Sequence, residues 1–209
     1  MPLDPARTVR ELEELRELTG DEDGAQRVAW TEIWERARAW LREKVAATGA
    51  EHEVDEAGNQ WFTLRGRSET ALLVGGHMDS VPNGGWLDGC LNVLAGVEVL
   101  RRIADEGEPP VTVRLVDWAD EEGARFGRSL FGSSAAGGSM RDQAELAKLT
   151  DGDGVSLPAA VGAYGVEPAW AACPRNVIWW RSTPNVPSTT PRGRSSASRT
   201  GPCSMWSSR

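Results

Sequence analysis

Apolar residues recur along this chain in two rhythms, one returning every third or fourth position and one in short unbroken runs. The alternation of the two predicts helices and strands in turn. From Thr8 to Leu18 the stripe Val9, Leu12, Leu15 and Leu18 stands among charges and predicts a short amphipathic helix, closed by Thr19 and Gly20. Ile33, Trp34, Ala37, Trp40, Leu41 and Val45 form one apolar face of a second helix, with Glu32, Glu35, Arg36, Arg38 and Arg42 around the rest and Gly49 as its stop. Glu51 to Asp55 and Gln60 to Leu64 read as a hairpin, because Ala57, Gly58 and Asn59 supply the turn. Leu72, Leu73 and Val74 read as the end of a buried strand, where Gly75 and Gly76 let the backbone turn.

Asn92 to Ala104 repeats apolar residues at Val93, Val97, Leu100 and Ala104, one face of a helix lying on a sheet. After Pro109 and Pro110, Val111 to Val116 alternates as a strand. Gly123 to Gly138 is rich in Gly, Ser and Ala and reads as a loop passing close to a site, and Asp142 to Lys148 reads as a brief helix. Strands alternating with helices predict an α/β sandwich.

Two of the predicted strands end in side chains of metal-ligand type. His77 and Asp79 follow the first, and Asp117, Asp120, Glu121 and Glu122 close the second. Ligands of open α/β sheets bind at the carboxyl ends of strands, so the two strands are expected to be neighbours or near-neighbours, presenting His77, Asp88, Glu121 and Glu122 at a common edge. His77, Asp88 and Glu122 have the types a catalytic metal site requires, and Asp88, in a Gly-flanked turn before a helix, is the candidate bridge between two ions. Asp79, two residues past His77, could accept the other imidazole N–H and fix its tautomer. Of the adjacent pair Glu121 and Glu122, one would bind metal while the other takes a proton from water and delivers it to a leaving nitrogen. His52, between Glu51 and Glu53, reads as a surface residue. Ser80, Ser133 and Ser134 lack a GxSxG setting, and Cys90 reads as a small buried thiol.

The net charge of −8, from 23 basic and 31 acidic residues, argues against nucleic acid or an anionic membrane as partner and favours a small polar substrate or a cation. The three cysteines, Cys90, Cys173 and Cys203, form no CxxC pair, so neither a disulfide framework nor a thiolate zinc site is supported. The amino terminus lacks the apolar core of a signal peptide, and no run approaches the ~18 apolar residues of a membrane span. A cytoplasmic protein is expected.

The segments GGHMDSVPNGGWLDGCLNVLAGVEVL and DWADEEGARFGRSLFGSSAAGG, with the Asp-Glu-Ala-Gly-Asn turn at 55 to 59, resemble the amino-terminal signatures of the M20-type zinc amidohydrolases. The branch is that of N-carbamoyl-L-amino-acid hydrolases, allantoate amidohydrolases and ureidopropionases, and the resemblance covers roughly residues 5 to 170. It implies a three-layer α/β sandwich with a mixed central sheet, as in di-zinc aminopeptidase-like catalytic domains. By position it makes His77 a ligand of one metal, Asp88 the bridging carboxylate, Glu122 a ligand of the second, Glu121 the general base and Asp79 the His-orienting residue. It also implies two divalent ions (zinc, or manganese, cobalt or nickel), a small-molecule amide or ureido substrate and a homodimer for the full-length enzyme. The SVPNGG and EEGARFG wording disfavours a metallopeptidase of the same superfamily. The family's full enzyme supplies two further histidine ligands, one in a His-Ile-Glu-x-Gly-Pro segment, whereas this chain has no histidine after His77.

Composition breaks near the carboxyl end. From Cys173 to Arg209 the only charged residues are arginines, at 175, 181, 192, 194, 199 and 209, crowded by Ser, Thr and Pro. Residues 1–172 are therefore expected to form the amino-terminal half of a metal-dependent catalytic domain, and 173–209 an aberrant, poorly ordered tail. Read one nucleotide earlier, permitted codons for Arg194 to Ser208 spell LERIENGPVLDVEQ, close to the family's Ile-Glu-x-Gly-Pro-Val-Leu signature, which points to a frameshift. The expected activity is hydrolysis of linear amide or ureido C–N bonds, with a catalytically inactive fragment of such an enzyme as the alternative.

Overall fold

A computed structural model describes residues 2–68, 70–140 and 143–166; the tail expected from Cys173 onward lies outside the described residues. Asp4 starts helix α1 (Pro5–Thr19) by accepting the N–H of Arg7, and Thr31 starts α2 (Glu32–Ala46) by accepting that of Trp34. The expected hairpin follows, β1 (Glu51–Val54) and β2 (Gln60–Leu64), in a register that sets Val54 opposite Gln60. The Asp55 carboxylate makes the turn by accepting the N–H groups of Ala57 and Asn59. Then come β3 (Ala71–Gly76), α3 (Cys90–Glu106) and β4 (Thr112–Asp117), and finally three short helices, α4 (Phe131–Ala136), α5 (Gln143–Leu146) and α6 (Leu157–Ala163).

The architecture is mixed α/β, as expected. The sheet order is β1-β2-β4-β3, antiparallel except for the parallel pair β3 and β4, which α3 joins as a crossover. Phe62, Val113 and Leu115 project from one face into a core with Leu12 and Leu15 of α1, Trp40 and Leu41 of α2, and Val93 and Val97 of α3. On the other face Trp61, Arg114 and Ala136 of α4 line an open hollow with Glu53 and Asp55. A second cluster, built on Trp30, Trp34, Phe131, Leu157 and Val161, joins α2 to the later helices. Ion pairs Arg7–Glu98 and Arg101–Glu11 seat α1 on α3. Among the described residues no helix is long and apolar enough to cross a membrane.

Several expectations are corrected. Leu72 and Leu73 are 53% and 40% exposed, because β3 is the sheet's edge among the described residues; only Val74 of that trio packs on the core. Val9 is exposed while Thr8, Glu11, Leu12 and Leu15 are buried. Three-residue spacing drifts around a 3.6-residue helix, so Val9 and Leu18 lie half a turn apart. Arg38, expected on the solvated side of α2, is buried. The loop expected from Gly123 to Gly138 contains α4, entered through Leu130 in the left-handed region, and α6 was not anticipated.

Candidate metal centre

The site forms where β3 and β4 end side by side. Gly75 lets the strands approach: a Cβ there would lie 2.0 Å from the Val116 carbonyl oxygen, and its φ of +144° suits only glycine. Gly89, φ +65°, lets the start of α3 pass against the His77 ring, where a Cβ would come within 2.6 Å. His77 thus leaves the carboxyl end of β3 half-enclosed, 8% exposed, facing the loop after β4.

Its Nε2 points at carboxylates, 3.7 Å from Glu121 Oε2 and 4.0 Å from Asp88 Oδ1. His77, Glu121 and Glu122 each offer a ligand atom, all within 4.8 Å of one another. One imidazole nitrogen and two carboxylate oxygens form a donor set of the types that bind a divalent cation. Asp88 stands across from the imidazole, its side chain 70% exposed.

Asp79 is buried and works in two directions. Its backbone carbonyl is 3.1 Å from His77 Nδ1, and its carboxylate 3.5 Å. The same carboxylate accepts the backbone N–H groups of Glu121 and Glu122 at 3.2 and 3.0 Å, tying the acidic loop to the histidine turn. This second function had no signal in sequence, since it joins residues 42 apart.

The charges at the site are unbalanced. Burial opposes the positive form of His77, yet the carboxylates of Asp79 and then Glu121 outweigh it and hold the imidazole up to about 9. Burial, with Asp88, Asp79 and Glu121 around it, raises the Glu122 carboxyl against the pull of His77. Three carboxylates facing one imidazole leave negative charge that a cation would neutralise. Behind them Asp120, with φ +52°, accepts Trp30 Nε1 at 3.0 Å, and burial followed by the charge of Asp79 pushes it up to about 7. Sequence reasoning assigned no role to Asp120, to Asp117 or to Arg27, all buried here. His52 is exposed on β1, and burial raises the Cys90 thiol to about 11, as a core residue.

Residues 73–165 match peptidase family M20/M25/M40. The chain is 38% identical over 154 residues to an N-carbamoyl-L-amino acid amidohydrolase of Geobacillus stearothermophilus, covering 69% of this chain and 36% of that protein. It is 31% identical to an allantoate amidohydrolase of Bacillus subtilis over 145 residues, 68% of this chain and 35% of that one. A hydantoinase/carbamoylase family amidase from Burkholderia ambifaria superposes with a TM-score of 0.73 at 32% identity, over 79% of this chain and 41% of its own. The chain thus spans well under half the length of the relatives it matches.

Proposed function

Since the chain belongs to peptidase family M20/M25/M40, of which it spans the amino-terminal part, we propose that its site is one half of a dinuclear metal centre hydrolysing linear amide or ureido C–N bonds. The observation that carries this reading is the convergence of His77, Glu121 and Glu122 at the ends of two parallel strands. In it His77 would hold one ion and Glu122 the other, with Asp88 available to both. When bound, such ions supply Lewis acidity toward the substrate carbonyl and the attacking water. Asp79 keeps the imidazole and the acidic loop in register. Glu121, beside the His77 imidazole and about a third open to solvent, takes the proton from water and returns it to the leaving nitrogen.

The names of the relatives support N-carbamoyl amino acids or allantoate-type ureido acids as the substrate class. Zinc, manganese, cobalt and nickel all suit the ligand set. A homodimer is proposed for the whole protein.

A second reading concerns this 209-residue chain itself, and the ligand count favours it. With His52 on the surface, His77 is the one histidine available, so each ion keeps two protein ligands where about three are expected. The chain as it stands is then a non-catalytic fragment: residues 1–172 form the half-domain, and 173–209 are the product of a shifted reading frame. Restoring the frame after about Gly165 and assaying N-carbamoyl amino acids and allantoate with added metal tests both readings. Chelator-sensitive hydrolysis by the restored chain alone supports them. Hydrolysis by neither chain sinks the first, and hydrolysis by the 209-residue chain sinks the second.

A further inference from the structure

Met78 lies between the proposed ligand His77 and Asp79, and its peptide is held from both sides by buried charges. Its N–H donates to Asp117 Oδ1 at 2.8 Å, while its carbonyl accepts from Arg27 Nε at 2.8 Å. Arg27 holds the turn through its main chain as well: its N–H donates to Ser80 Oγ, and its carbonyl accepts the Ser80 N–H, both at 3.0 Å. Asp117 is itself anchored by Arg38 at 2.9 Å, whose guanidinium also donates to the Gly58 carbonyl and lies over the Trp34 ring.

The two arginines differ in what they meet. Arg38 faces a carboxylate. Arg27 is fully buried, yet among the described residues its donors reach neutral groups, the Met78 carbonyl, Thr19 Oγ1 and the Cys90 thiol, and its Nη2 has no hydrogen-bond partner. A buried cation without a counter-charge is costly, and an apolar side chain of similar volume is often neutral or better for stability. Packing therefore does not account for an arginine here. What an apolar residue could not do is grip the Met78 carbonyl from beneath the site.

We propose that Arg27 is a positioning residue of the metal centre: with Asp117 as the opposite anchor, it fixes the Met78 peptide and so the direction in which His77 and Asp79 leave β3. This rests on the reading of His77 as a ligand. Partners that orient a ligand typically matter 10- to 100-fold in metal affinity.

The test uses the isotope-labelled 209-residue chain as wild type, Arg27→Met, Arg27→Lys and His77→Gln. Amide exchange at Met78 is measured without metal, and zinc is then titrated while His77 ring signals are followed. Arg27→Met is expected to speed Met78 exchange at least about tenfold and weaken zinc binding by about 10- to 100-fold, with an unchanged or raised unfolding midpoint; Arg27→Lys should recover part of both. Unchanged Met78 exchange, or a fall in stability that accounts for the loss of zinc, overturns the proposal. Equal zinc binding by wild type and His77→Gln removes His77 as a ligand, and faster Met78 exchange in Arg27→Met then still upholds the grip on the peptide itself.

Discussion

Glu121 lies 3.7 Å from the His77 imidazole with about a third of its side chain open to solvent, a position from which it can reach a water held between the two strand ends. In a chain with the complete ligand set, Glu121→Gln should lower kcat about 10²- to 10⁴-fold with metal content unchanged, since an amide keeps the shape but accepts no proton. Asp88→Ala should instead lose metal, read by elemental analysis. The His77 imidazole, held near 9 against about 6.5 in an unfolded chain, gives the metal-free protein a stability increment that is full below about pH 6.5 and lost as pH rises through about 9. Its size is at most about 3 kcal/mol. Urea midpoints of wild type should fall toward those of His77→Gln across that window, and parallel pH profiles would contradict it. Zinc affinity should rise over the same range, because metal and proton compete for one nitrogen.

At the scale of elements, the pairing of β3 with β4 depends on Gly75, whose place no other residue can take without moving Val116. Gly75→Ala should cost roughly 2–4 kcal/mol, through both the clash and the backbone strain, and should loosen the metal site with it. On α1 the buried stripe is Thr8, Glu11, Leu12 and Leu15. Leu12→Ala should cost about 2–5 kcal/mol, whereas Val9→Gln should stay within about 0.5 kcal/mol. Thermal unfolding of the pair separates the two stripes: comparable losses at both positions would restore the three-residue one.

Over the whole molecule, acidic residues fill the body while the segment from Cys173 on carries only arginine charges. The proposed shift of reading frame would account for that change of sign, and resequencing the codons for Gly165 to Arg209 checks it. The 209-residue chain should bind divalent ions weakly or substoichiometrically. Two ions per chain retained through dialysis would show that ligands beyond His77, Asp88, Glu121 and Glu122 take part.

The spacing of apolar residues determined what local geometry can determine: the long helices α1, α2 and α3, the hairpin, and the two strands that carry ligand-type side chains at their ends. The helices follow from a period of 3.6, β4 from alternation, β3 from a short apolar run and the hairpin from its turn residues, all of which a short window of chain contains. The short helices α4 and α6 escaped because a turn or two of Gly, Ala and Ser carries too little period to register. Burial was decided by contact rather than composition. Leu72 and Leu73 are open because β3 is the edge of the described sheet, and Arg38 is buried because Asp117, 79 residues away, lies opposite it. The candidate ligands were legible as residue types, but the means of holding them were not. Asp79 reaching the backbone of Glu121 and Glu122, and Arg27 and Asp117 closing on the Met78 peptide, are partnerships between distant segments that exist only once the sheet has brought those segments together.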